Sequence, residues 1–69
     1  MPDHVIASNL DALDDFLTYL TSRHGRRRTG EIEDALDELV YLRTRSPDAH
    51  HPRIDKLTLD FEALIRMAA

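Results

Sequence analysis

Apolar side chains recur at steps of three and four residues in three segments of the chain. This spacing places them on one face of an α-helix and predicts helices at about residues 8–24, 30–45 and 52–67. The polar connectors between them, each of roughly six residues, suit antiparallel neighbours. The sequence therefore predicts an all-α fold, a small three-helix antiparallel bundle forming one domain over residues 1–69, and it leaves open whether the bundle is a dimer.

Capping signals set the predicted helix ends. Ser8 or Asn9 is expected to cap the first helix, because their side chains bind free amides at a helix start. Gly25 is expected to end that helix in a left-handed conformation. The second helix is expected to end before Pro47, since the residue preceding a proline disfavours the helical region. Pro52 suits the first position of the third helix.

The three apolar stripes are expected to meet in one hydrophobic core. The stripe of the second helix extends to Val40 and covers about 160° of the helix circumference, a width that suits a middle helix with neighbours on two sides. Val5 and Ile6 precede the predicted first helix and stay outside this core. The predicted core residues are Leu13, Phe16, Leu17, Leu20, Ile32, Leu36, Leu39, Val40, Leu57, Phe61, Leu64 and Ile65.

Composition narrows the possible functions. The chain has 69 residues, of which 42% are hydrophobic and 32% charged, which is typical of a globular domain. It has no cysteine, which excludes disulfides, thiolate metal sites and cysteine nucleophiles. No apolar run reaches the roughly 18 residues of a membrane span, and the N-terminus lacks the pattern of a signal peptide. We therefore expect a cytoplasmic protein without a membrane partner.

Catalytic and metal-binding chemistry finds little support in the sequence. The two glycines, Gly25 and Gly30, are too few for a phosphate-binding loop. His4, His50 and His51 would meet only if the N-terminus folds toward the second connector, and adjacent loop histidines rarely share one metal ion. We therefore expect no enzymatic activity, no cofactor and no metal site.

Acidic residues dominate the predicted outer faces, and the formal net charge is −4. The leading hypothesis is a non-enzymatic protein-binding module, such as an inhibitor, adaptor or regulatory subunit of bacterial or phage type, that occupies a basic surface. Two tyrosines and one leucine lie off the apolar stripes and are the predicted anchors. A solvated surface is the simpler interpretation of the same charges. The predicted partner-binding residues are Tyr19, Tyr41, Leu59, Asp11, Asp15, Asp34, Asp37 and Glu38.

Two alternatives stay open. Leu59, an apolar residue ringed by charges on the third helix, also suits a self-associating structural or assembly domain. The basic connector would instead contact nucleic-acid phosphates through Arg26, Arg27 and Arg28. That connector carries no aromatic residue for base stacking, and a second basic group is expected at the opposite end of the bundle. The sequence therefore favours a protein partner, heterologous or a second copy, over nucleic acid.

Overall fold

Three α-helices make up most of the chain in the computed structural model, which describes residues 1–22 and 29–68. A short 3₁₀ turn leads into the third helix, and the described residues contain no strand. This confirms the predicted all-α, three-helix fold. The elements are α1 (Asp3–Thr21), α2 (Thr29–Arg45), the turn Asp48–His50, and α3 (His51–Ala68).

Contacts between helix ends give the direction of each helix. Arg43 near the end of α2 binds Asp55 near the start of α3, and the two helices pack closely against each other, so they are antiparallel. Asp3 at the start of α1 lies beside His50 just before α3, and Phe16 further along α1 stacks with Phe61 further along α3, so these two helices run the same way. The bundle is therefore up–down–up, with extents of 33 × 19 × 18 Å.

The helix that packs against both others is α3, because its backbone approaches α2 and α1 more closely than they approach each other. The expectation that the second helix is the middle one is therefore wrong. With a close neighbour on one side, α2 packs a stripe of about 120° against the core when the partly exposed Leu36 is included, which is narrower than the predicted stripe. Val40 lies beyond its edge and is 63% exposed, so its place in the predicted core is wrong.

The first helix begins at Asp3, more than one turn before the predicted start. Pro2 adopts φ −63° and ψ 148°, and its carbonyl accepts a hydrogen bond from the amide of Val5 at 3.1 Å. The Pro2 carbonyl thus accepts the first hydrogen bonds of the helix. Asp3 in the first turn adds a favourable negative charge at the positive end of the helix dipole. The predicted caps, Ser8 and Asn9, lie inside the helix.

Hydroxyl groups close the C-terminal end of α1 before Gly25. The Ser22 hydroxyl donates to the carbonyl of Tyr19 at 2.7 Å, and the Ser22 amide donates to the same oxygen at 3.2 Å. The Thr21 hydroxyl donates to the carbonyl of Leu17 at 3.1 Å. The Tyr19 carbonyl is one of the last four of α1, which have no amide partner within the helix, and the two Ser22 groups bind it. The predicted end near residue 24 and the stop at Gly25 lie outside the described residues.

One hydrophobic core joins the three helices. Most predicted core residues are buried, and Phe16, Leu17, Leu36 and Ile65 pack against them while partly exposed. Ile6, placed outside the core from the sequence, is completely buried, because α1 extends its stripe one turn further back. The buried residues are Ile6, Leu10, Leu13, Leu20, Ile32, Ala35, Leu39, Leu42, Ile54, Leu57, Phe61 and Leu64.

Candidate protein-interaction surface

Arg53 near the start of α3 bridges two carboxylates of α1. Its Nη2 atom donates to Asp11 Oδ1 at 2.6 Å and to Asp14 Oδ2 at 2.5 Å. The hydrogen bond that Arg53 donates to Asp14, followed by the one to Asp11, raises the pKa of Arg53 above its already high ordinary value. We call Asp11, Asp14 and Arg53 the seam. Both aspartates thus share one cationic partner within the molecule.

A second ion pair joins α2 to α3. Arg43 Nε donates to Asp55 Oδ1 at 2.8 Å, and its Nη2 donates to Oδ2 at 3.3 Å. Both side chains are half-exposed. The hydrogen bond from Arg43 lowers the pKa of Asp55, and the attraction of the same guanidinium adds to that effect. This two-point geometry holds the end of α2 against the start of α3.

Both histidines of the second connector contact groups of the same chain. His51 Nε2 lies 3.1 Å from the carbonyl oxygen of Arg43 and 3.3 Å from that of Ser46, an environment that requires Nε2 to carry a hydrogen. His50 Nε2 lies 3.3 Å from Asp3 Oδ1. Within residues 1–22 and 29–68, no group of three or more potential ligands is placed to hold a metal ion. The contacts of the two histidines link the second connector to the start of α1 and to the end of α2.

The outer side of α2 carries acidic residues that, unlike those described above, have no ion-pair partner among the described residues. Glu33, Asp34, Asp37 and Glu38 are exposed, and none has a hydrogen bond or ion pair with a described residue. Two pairs of like charge stand four residues apart, Glu33 with Asp37 and Asp34 with Glu38, and each such pair costs about 0.2–0.5 kcal/mol in a helix. We call these four residues the acidic face. Its charges have no neutralising partner among the described residues.

Tyr41 stands at the C-terminal end of the acidic face. It follows Asp37 by four residues, so the two side chains lie on the same side of α2. The ring is 48% exposed, and the guanidinium carbon of Arg45 lies 4.9 Å from its centroid. A cation at this distance is attracted to the ring. An aromatic side chain thus lies one turn from Asp37 and Glu38, at one end of the acidic face.

The three predicted anchors lie on three different helices. Tyr19 on α1 is 49% exposed and Leu59 on α3 is 62% exposed. Each of these residues, like Tyr41 on α2, lies on the side of its helix away from the buried stripe. The three anchors are thus presented by three helices rather than by one. Only Tyr41 lies with the predicted partner-binding residues Asp34, Asp37 and Glu38.

The remaining predicted site residues divide between other places. Asp11 belongs to the seam, bound to Arg53, whereas Asp15 is exposed on α1, four residues before Tyr19. The predicted phosphate contacts Arg26, Arg27 and Arg28 lie outside the described residues and stay a prediction.

Sequence reasoning did not anticipate which acids would be neutralised. It placed Asp11 and Asp14 on an outer face. Their contacts with Arg53 depend on the register of α1 against α3, which core packing sets and which the pattern of one helix does not reveal. It also did not single out Glu33 as a partner-binding residue. The signal was present, since Glu33 lies one turn before Asp37 on the same side of the predicted helix.

A shallow cleft lies between α1 and α3. Its volume is about 270 Å³, just below the roughly 300–1,000 Å³ of typical small-molecule sites. Asp60, the charged residue in its wall, accepts a hydrogen bond from Lys56 Nζ at 3.1 Å. The two threonine hydroxyls in the wall donate to backbone carbonyls of α1. The lining residues are Leu17, Thr18, Thr21, Asp60, Ala63 and Leu64.

Comparisons of the chain with protein-family models, with curated proteins and with solved structures find no match. Within the described residues, no helix has the length and apolar character needed to cross a membrane. The candidate surface therefore stands on its geometry and charge alone.

Proposed function

We propose that this protein is a non-enzymatic protein-binding module whose acidic face on α2 docks against a basic surface of another protein. The observation that carries the proposal is the set of four exposed carboxylates that no described residue neutralises. A basic partner would relieve the repulsion between them, and complementary charge speeds association and selects partners.

Tyr41 is the anchor of this docking surface. Tyrosine is enriched among the residues that dominate binding energy, because a large ring and a polar hydroxyl act together. Its half-exposed ring stands at the edge of the acidic face, where contact with a partner would bury it. Such a module acts by covering the partner's basic surface, as an inhibitor, adaptor or regulatory subunit does.

Pull-down from a lysate of the source organism tests the proposal with two matched variants. The first, D34N/D37N/E38Q, neutralises three residues of the acidic face. The control, D3N/D48N/D60N, changes the net charge by the same amount at other places. Proteins captured by the wild-type chain should be retained by the control and lost with the first variant.

The captured protein is then purified and titrated against the wild-type chain. Binding should weaken steeply as salt rises, because the contact is electrostatic, and Y41A should weaken it at constant salt. Equal capture by both triple variants, or equal loss with both, would exclude the acidic face as the docking surface. Circular dichroism of each variant shows that it is folded.

A further inference from the structure

The outer side of α3 offers a second surface, separate from the acidic face. Leu59 is 62% exposed and lies opposite the buried stripe of its helix. Lys56, whose Nζ donates to Asp60 at 3.1 Å, stands three residues before it, and Glu62 stands three residues after it. Glu62 has no hydrogen bond or ion pair with a described residue. An apolar side chain is thus flanked by opposite charges at equal distances along the helix.

A second copy of the chain could complement this arrangement of one apolar residue between two opposite charges. If two α3 helices pack antiparallel with Leu59 against the partner's Leu59, Lys56 lies level with the partner's Glu62. The two-fold axis repeats this relation, giving two attractive charge pairs around one apolar contact. A parallel arrangement would instead place Lys56 level with the partner's Lys56, and like charges disfavour it.

A register of the antiparallel pair centred on Phe61 is less favourable. Shifting the two-fold centre to Phe61 would set Lys56 level with the partner's Arg66 and Glu62 level with the partner's Asp60. The centre at Leu59 therefore matches apolar with apolar and positive with negative charge. We propose that the outer side of α3 is a self-association surface that pairs two copies antiparallel about Leu59. This does not depend on the acidic face of α2, and both surfaces can be occupied together.

A contact through one helix face buries less than the roughly 1,200–2,000 Å² of a stable specific interface, so association should be weak. We expect a dissociation constant of about 0.1 mM at low salt. Sedimentation equilibrium over a concentration series should give a mass that rises from one copy towards two. A mass of one copy throughout the series would overturn the proposal.

Two variants locate the contact. L59R should abolish self-association, whereas V40R changes an equally exposed aliphatic residue on α2 and should leave it intact. Arginine has nearly the helix propensity of leucine, so L59R should remain folded. If V40R abolishes association as fully as L59R, the copies pair through another surface and the proposal is wrong.

A charge swap tests the antiparallel register. K56E alone places two glutamates level with each other at both ends of the contact and should weaken association about tenfold. E62K alone should act similarly with two lysines. The double variant K56E/E62K restores opposite charges and should recover most of the lost affinity. Failure of the double variant to recover, while it stays folded by circular dichroism, would reject this register.

Discussion

Two groups of carboxylates in this small bundle have opposite relations to the rest of the molecule. In the seam, Asp11 and Asp14 share the guanidinium of Arg53, a residue about 40 positions later in the chain. On the acidic face of α2, Asp34 and Asp37 have no partner among the described residues. The first group stabilises the fold, whereas the second keeps its charge for solvent or a partner. The same residue type thus has two different structural settings, according to what the packing of helices brings beside it.

The α1–α3 contact, which includes the seam, and the acidic face each have an aromatic residue beside them. Replacing these two aromatic residues should give the largest difference in the free energy of unfolding. Phe61 is fully buried and stacks with Phe16 across the α1–α3 contact, with ring centroids 5.9 Å apart. F61A should therefore cost about 3–5 kcal/mol. One core of this size rarely supplies more than about that much, so the variant should be largely unfolded. Y41A, on the acidic face, should change the free energy of unfolding by less than about 0.5 kcal/mol.

Urea denaturation followed by circular dichroism measures both variants. A folded F61A with nearly wild-type stability would show that the α1–α3 contact contributes little. A large loss in Y41A would show that this ring stabilises the fold, and its role as an anchor would then be untenable.

The first turn of α1 contributes to the hydrophobic core and therefore should matter for stability, as the α1–α3 contact does. Ile6 is completely buried, and I6A should lower the free energy of unfolding by about 2–5 kcal/mol. This loss should not exceed that of F61A, because the isoleucine side chain is smaller. V5A removes a smaller, partly buried side chain one position earlier and serves as the control. If I6A and V5A melt at the same temperature as the wild-type chain, the helix does not begin at Asp3 in solution.

Lysine substitutions at matched aspartates should move stability in opposite directions. D14K removes one carboxylate from Arg53 and adds a like charge beside it, which should lower the free energy of unfolding by about 1 kcal/mol. D37K replaces two repulsive spacings, to Glu33 and Asp34, by attractive ones and should raise it by about 0.5 kcal/mol. Thermal melts at low salt measure both shifts, and an equal sign for the two variants would contradict the division between seam and acidic face.

The sequence was sufficient for the helices and most of the core, because a period of 3.6 residues is visible within each helix. The arrangement of the helices relative to one another was harder to predict from the sequence. Val40 belongs to a continuous apolar stripe, yet it is exposed because α3, rather than α2, is the central helix. The bridge from Arg53 to Asp11 and Asp14 depends on the register of α1 against α3, which core packing fixes. The start of α1 depends on a backbone carbonyl of Pro2, which side-chain capping rules do not detect.

Acid sensitivity gives the smallest effect and isolates one ion pair. Arg43 lowers the pKa of Asp55 in the folded state, chiefly through its hydrogen bond. A carboxyl whose folded pKa is lowered stabilises the fold at pH values above its ordinary pKa of about 3.9. That contribution disappears as the pH falls through the ordinary pKa towards the folded value. D55N should therefore lose less stability than the wild-type chain between about pH 5 and pH 2.

R43Q removes the cause of the shift and should flatten the same part of the stability curve. Because the two residues act as one pair, R43Q/D55N should differ from the wild-type chain by less than the sum of the single variants. Urea midpoints at several pH values measure this. An acid dependence in R43Q/D55N as steep as in the wild-type chain would assign the sensitivity to other carboxylates, and the Arg43–Asp55 pair would then be a surface contact without energetic consequence.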